Sequence, residues 1–371
     1  MSGDPRWSDL GEKLAVLADV AARLDLDSLV VREPANLTWL LGARVNVPQT
    51  LETACLDVVV HVARTDRAPS LVVVTNAIEA PRLRHQELSG LDDACEVEWH
   101  VVPWWEGRES RLPTGDRVGS DRALPSVTSV THELAQARRR LTTDQRALLA
   151  EVCRDGAAAA TAAALAVSPS STGYAAAGVL ARELLERELD PVVLLVGGAP
   201  HLEAHRHPLP VAEPLGGRAL LVACARRRGL IASISRVVSF TPPGAEERDA
   251  YERLLRVEQS FLDHSVVGAR LGDVVASGCS AYETHGFAAD EWHRHHQGGL
   301  SGFVPREFPA SPGSDDILEE GAVVAWNPSA AGWKVEDTCL VLPDGPQPLV
   351  DDGTWPTLTV GGRRRPDVLV R

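Results

Sequence analysis

The sequence predicts a two-domain protein, an α/β domain over residues 1–128 followed by an α+β domain over residues 129–371. Three observations lead there. A chain of 371 residues exceeds what one core comfortably serves. Short Val-rich runs alternate with helix-period segments up to Val102, whereas beyond Pro191 strands come in neighbouring pairs and helices in neighbouring pairs. Between the two patterns, Gly107–Leu124 is rich in Arg, Gly, Pro and Ser and reads as a surface connection, which places the boundary near Ser126–Thr131.

The elements follow in order. Leu10, Leu14, Leu17, Val20, Ala21 and Leu24 recur at helical spacing and open the chain with an amphipathic helix. Strands are expected at Leu29–Val31, Val58–Val62, Leu71–Thr75 and Val97–Val102, with a short helix over Pro34–Leu41 closed by Gly42 and another helix around Ile78–Leu88. Helical pattern runs from Thr131 to Ala166 and from Tyr174 to Leu189, interrupted by Ser168-Pro169-Ser170-Ser171. Strands at Val192–Val196, Ala219–Cys224 and Leu230–Phe240 come next, then helices over Ala245–Val267 and Gly272–Gly286. Two strands joined by Pro328–Gly332 fill Gly321–Leu342.

Composition narrows the function. The formal net charge is −14, and no basic run is dense enough to neutralise successive phosphates, which argues against nucleic-acid binding. Arg138-Arg139-Arg140 and Arg226-Arg227-Arg228 read as solvated helix or turn charges. The six cysteines are scattered without a close pair, against a disulfide framework or a zinc knuckle. No apolar run approaches the ~20 residues that span a bilayer, and no secretion signal opens the chain, so the expected location is the cytoplasm. No Gly-rich phosphate loop precedes a helix, and no cofactor is expected.

Four ordered segments carry a resemblance: His205-Arg206-His207-Pro208-Leu209-Pro210, Gly229-Leu230-Ile231-Ala232-Ser233-Ile234-Ser235-Arg236, His296-Gln297-Gly298-Gly299 followed by Arg306-Glu307-Phe308-Pro309, and Asn327-Pro328 through Glu336-Asp337-Thr338. Over residues 130–345 they resemble the creatinase, prolidase and aminopeptidase P family, with its substrate-side histidine, "GYxxDITR" strand, "HxxG" turn and "EP…EDT" hairpin. Asn36 to Gly42 is similar to the signature of that family's N-terminal domain. The resemblance implies a creatinase N-terminal-like α/β domain before a pita-bread α+β domain.

The departures shape the expected function. Metallopeptidases of this family bind two divalent ions with two Asp, one His and two Glu, because hard cations need anionic oxygen around them. At the matching positions stand Val222, Ser233, His296, Asn327 and Glu336. One carboxylate and one imidazole do not hold a dinuclear site, so no metal is expected. By similarity to creatinase, which cleaves a C–N bond without metal, the resemblance implies a metal-independent hydrolase or lyase. Its substrate would be a small polar amino-acid-like or amidino compound. Ser235 and Asn327 replace two of creatinase's substrate-binding glutamates, which disfavours creatine itself. A metallo-aminopeptidase with atypical ligands and a catalytically inactive binding protein of the same fold stand as alternatives.

Each residue has a plainer reading too. His207 is expected to carry protons at a reference pKa of ~6.5, against a merely solvated loop histidine. His296 is expected as pocket wall and second proton donor, with His295 the rival assignment. Glu336, in an apolar strand, would hold a substrate cation or amide N–H unless it is simply paired with Lys334 or Arg236. Arg306 would clamp a substrate carboxylate in bidentate fashion, beside Glu307. Asn327, Ser233, Ser235 and Arg236 complete the expected substrate-binding set, the serines as polar fillers and not nucleophiles. Trp99, Trp104 and Trp105 read as core or dimer contacts. The resemblance also implies a homodimer in which Arg44, Asn46 and Gln49 help cover the partner's pocket.

Overall fold

The computed structural model describes residues 5–47, 54–62 and 68–371, so Gln49 lies outside the described residues. The chain forms two compact units, Met1–Asp144 and Gln145–Arg371.

In the first unit, α1 (Leu10–Arg23) buries Leu10, Leu14, Leu17, Val20 and Ala21, the stripe its spacing predicts. Then come β1 (Ser28–Val31), α2 (Pro34–Leu41), β2 (Leu56–His61), β3 (Ser70–Asn76), the short helices α3 (Ala80–Arg82) and α4 (Leu91–Ala94), and β4 (Val97–Val102). The helix expected at Ile78–Leu88 is not continuous. After α3 the chain widens into a π-type turn over Leu83–Glu87, where the Leu88 N–H reaches back five residues to the Leu83 carbonyl at 2.7 Å.

The segment expected as a surface connection contributes β5 (Val118–Ser120), which pairs in parallel with β1 and with β6 (Thr128–Ser129). A three-residue strand is too short to display a period. The sheet order is β4-β3-β2-β1-β5-β6, mixed parallel and antiparallel. Helix α5 (Thr131–Arg139) packs on α1 and α2, which is why the unit runs past the expected 128/129 boundary. Arg138 is buried and donates to Asn36 Oδ1 at 2.6 Å, correcting the reading of its run as solvated charge. Trp104 and Trp105 are exposed (64% and 69%), which corrects a core role for them. Trp99 lies half-buried under the Arg84 guanidinium, 4.7 Å from its ring centre.

The second unit carries α6 (Thr143–Ala166, its first residues at the division), α7 (Gly173–Leu185), β7 (Asp190–Gly198), α8 (Ala199–Leu202), β8 (Arg218–Arg227), β9 (Leu230–Ser239), α9 (Ala245–His264), α10 (Leu271–Thr284) and β10 (Gly298–Ser301). The region expected as two strands resolves into four: β11 (Val323–Trp326), β12 (Ser329–Ala330), β13 (Trp333–Lys334) and β14 (Asp337–Leu342). The chain ends with β15 (Gly345–Pro348), β16 (Thr357–Val360), β17 (Arg363–Pro366) and β18 (Leu369–Val370).

The main sheet runs β10-β11-β14-β9-β8-β7 with every neighbour antiparallel, β15 added to β14 and β18 parallel to β9. The β8–β9 hairpin turns on Arg228 and Gly229, both at positive φ (48° and 84°), as a two-residue hairpin turn needs. One core joins Leu254, Leu255, Phe261, Val274 and Tyr282 of the helices to Val222, Val237, Val324 and Trp326 of the sheet. Among the described residues no helix is long and apolar enough to cross a membrane, and all six cysteines are free.

Candidate active site

The site grows from three places in the second unit. His207 lies in the loop between α8 and β8. His295 and His296 follow a 3-10 turn at Glu291–Arg294 and precede β10. Glu336 precedes β14, two residues beyond Lys334 at the end of β13.

The loop holding the two histidines is fixed from behind. Gln297 donates to the carbonyls of Trp292 (3.1 Å) and His295 (2.5 Å) and accepts from the Tyr282 hydroxyl at 2.8 Å. That hydroxyl accepts from the Ser329 N–H at 3.1 Å. Beyond the loop, Gly298 holds φ 105°, and a Cβ there would lie 2.1 Å from the Ala325 carbonyl oxygen. Only glycine lets β10 approach β11 so closely.

These constraints bring the imidazoles together. His207 Nε2 and His295 Nε2 are 2.9 Å apart, and His295 Nδ1 lies 3.3 Å from Ser329 Oγ. His296 stacks at a tilt on His295, ring centres 4.6 Å apart. His295 is buried, whereas His207 and His296 reach solvent. Burial pushes all three histidines below the ordinary imidazole pKa, and Lys334 adds to it. His295 falls to about 2 and His296 to about 4, so both are neutral imidazoles at neutral pH.

Beside them sits a buried ion cluster. Glu336 Oε2 meets Lys334 Nζ at 3.0 Å and Oε1 meets Arg306 Nη2 at 2.9 Å. Burial alone would raise the Glu336 pKa, but Lys334 and Arg306 outweigh it and hold the carboxyl below its usual range. The fork of Arg306 also donates to the carbonyls of Ala325 (2.5 Å) and Gly299 (3.2 Å). Nη1 is thus engaged within the chain and Nη2 meets Glu336, whereas Nε is buried with no hydrogen-bond partner. Arg236 requires a correction. It is buried, donates to Asp337 Oδ1 at 2.6 Å and to the Val350 carbonyl at 2.8 Å, and belongs to a charge group with Arg365 and Glu258. It braces strands and does not face the histidines.

Val222 and Cys224 of β8 pair with Ser235 and Ser233 of β9, so the four share one sheet face. Burial raises the Cys224 pKa to about 11, and the Glu336 charge adds to the rise. Cys224 Sγ lies 3.7 Å from Ser233 Oγ. Ser235 Oγ and Asn327 Oδ1 are buried with no hydrogen-bond partner. Glu307 is tied through its backbone N–H to the Leu300 carbonyl at 3.0 Å. In the first unit Arg44 pairs with Glu87 at 2.8 Å. Sequence reasoning undervalued Lys334, Ser329 and His295. The alternation Lys334-Val335-Glu336 in a strand was the available signal for Lys334, since residues two apart share a face.

With this geometry in hand, the comparisons decide the family. The model of Metallopeptidase family M24 matches residues 147–343, more than half of the chain. The chain belongs to that family. A curated Bacillus subtilis (strain 168) protein, described as "Putative dipeptidase YkvY", is 26% identical over 123 residues, 32% of this chain and 33% of that protein's length. Among solved structures, Dipeptidase PepE from Mycobacterium ulcerans superposes at TM-score 0.74 with 16% identity over 100% of this chain and 99% of that one. The prolidase from Pyrococcus horikoshii OT3 superposes at 0.73 with 14% identity over 92% and 98%. At such identities these likenesses show the fold: an N-terminal domain before the family's C-terminal domain.

The divalent ions that M24 membership implies do not fit the residues present. Of the five matching positions, Val222, Ser233 and Asn327 carry no anionic oxygen, and Lys334 Nζ already lies 3.0 Å from the surviving carboxylate. An ammonium and a guanidinium supply the counter-charge that hard cations would otherwise bring.

Proposed function

We propose that this M24 protein hydrolyses an amide C–N bond in a small peptide-like substrate without the family's dinuclear carboxylate centre. The observation that carries the reading is the neutral His207–His295 pair, Nε2 to Nε2 at 2.9 Å, beside the Lys334–Glu336–Arg306 cluster. In this reading one neutral imidazole, His207, takes a proton from water as the oxygen bonds to the amide carbon. The C–N bond then breaks, and the amine leaves with a proton returned from the histidines, giving a carboxylate and an amine. Lys334 supplies positive charge near the developing oxyanion. Asn327 Oδ1 and Ser235 Oγ, buried without partners, are acceptors free to take a substrate N–H.

Peptides move ahead of amidino compounds as candidate substrates because the family model and the curated relative are both named for peptide hydrolysis. The test is a panel of Xaa-Pro and other dipeptides, with creatine as comparator, incubated with chelator-treated protein. Amino acids released from a dipeptide, undiminished by chelator, are the expected result. Cleavage abolished by chelator and restored by manganese would overturn the reading in favour of a metallopeptidase with atypical ligands. A second reading, a binding protein without turnover, has one observation behind it: Glu336 is already neutralised inside the chain by Lys334 and Arg306. Calorimetric binding of a dipeptide with no product formed would favour it.

A further inference from the structure

We infer that His207, His295 and His296 form a site for a single borderline divalent transition-metal ion of the zinc, nickel or copper class, apart from the family's carboxylate positions. One nitrogen from each imidazole lies within 4.8 Å of the others. Tetrahedral zinc with Zn–N near ~2.0–2.1 Å places its ligand nitrogens about 3.4 Å apart. The His207–His295 pair at 2.9 Å must open slightly and His296 close in, which small side-chain rotations achieve.

A second observation concerns orientation. His295 Nδ1 faces Ser329 Oγ at 3.3 Å, so an Nδ1–H donated there leaves the Nε2 lone pair for a ligand. Metal-bound histidines are held this way by a partner on the other ring nitrogen. Ser329 is itself anchored through its N–H to Tyr282, and Gln297 grips the His295 carbonyl. The site is thus supported from behind before any ion arrives.

The donor set selects the metal. Three imidazoles and no carboxylate suit borderline ions and give magnesium, calcium or manganese little to hold. His207 and His296 reach solvent, which leaves a coordination position open to water or an anion. The neighbouring charges temper affinity: Lys334 and Arg306 against Glu336 leave one net positive charge, which opposes a dication and favours an anionic fourth ligand. The sequence offered no sign of such a site, because the approach of His207 to His295, 88 residues further along the chain, is invisible in spacing.

Bound metal would engage the lone pairs that the hydrolase reading assigns to proton transfer, so occupancy should lower turnover. That consequence rests on the proposed function, but the binding does not. The experiment uses full-length, tag-free protein stripped with chelator, titrated with zinc by calorimetry and with cobalt by visible absorption. One equivalent is expected. His295→Ala and the solvent-facing His296→Ala should each weaken binding at least tenfold, with His205→Ala unchanged. His205 stacks on His201, ring centres 5.9 Å apart, and supplies the adventitious-affinity control. No saturable binding, or equal weakening in His205→Ala and His296→Ala, would overturn the inference. If zinc binds as stated while metal-free protein cleaves no dipeptide, the metal site stands and the hydrolase reading falls.

Discussion

At the scale of single residues, Glu336 organises the candidate site. A carboxylate this deeply buried survives only because two cations meet it. Replacing Lys334 with Met removes one of them. Arg306 remains, so the expected loss is about 2 kcal/mol, below the ~3–5 kcal/mol of a stranded buried charge. Urea denaturation of Lys334→Met against the parent measures it. The same substitution removes a positive charge that depresses all three imidazoles, so their pKa values should climb, read by NMR titration. The histidines also set an acid limit. Their folded pKa values lie below the unfolded value of ~6.5. Between that value and about 4 the unfolded chain therefore binds more protons than the native one, and stability should fall as pH drops through this window. The depressed Glu336 pKa acts the same way at lower pH, because its contribution is lost as the carboxyl protonates. Urea midpoints at pH 7.5, 6 and 5 should decline in that order, and less steeply in His295→Gln. A flat profile would contradict the neutral, buried imidazoles.

At the scale of elements, the approach of β10 to β11 decides where the histidine loop sits. Gly298→Ala forces a side chain into the Ala325 carbonyl at a left-handed backbone angle. It should cost about 2 kcal/mol or more, with zinc affinity falling further than the variant's loss of thermal stability alone explains. A variant with parental melting and binding would sink this account of the turn. The elements legible in the sequence were those with a sustained period. Helix α1, the long helices α9 and α10, and the paired strands β8 and β9 stand within a few residues of their expected limits, because each buries a stripe or face. Strand β5 and the β12–β13 hairpin were not legible, being two or three residues long and defined only by their neighbours. The vacant carboxylate positions could be read from aligned motifs. The pairing of Arg306 with Glu336 could not, since those side chains meet from positions 30 residues apart in the chain. Arg236 misled because a charged residue beside a motif looks functional until its burial against Asp337 is known.

At the scale of the whole molecule, the exposed aromatic pair on the first unit calls for an explanation. Trp104 and Trp105 meet edge to face, ring centres 5.6 Å apart, and stand 64% and 69% exposed. Paired tryptophans in water are costly to leave uncovered and are typical anchors where two proteins meet. The proposal of a homodimer, made first from family resemblance, gains a specific contact from this pair. Light scattering at micromolar concentration should give about twice the chain's 39.8 kDa. Trp104→Ser combined with Trp105→Ser should shift the protein toward monomer without lowering its melting temperature, because neither ring belongs to a core. A parent that runs as a monomer would remove the dimer, and with it any covering of one subunit's histidines by the partner. A dimer that persists in the double variant would place the interface elsewhere on the chain and return the two tryptophans to the free surface.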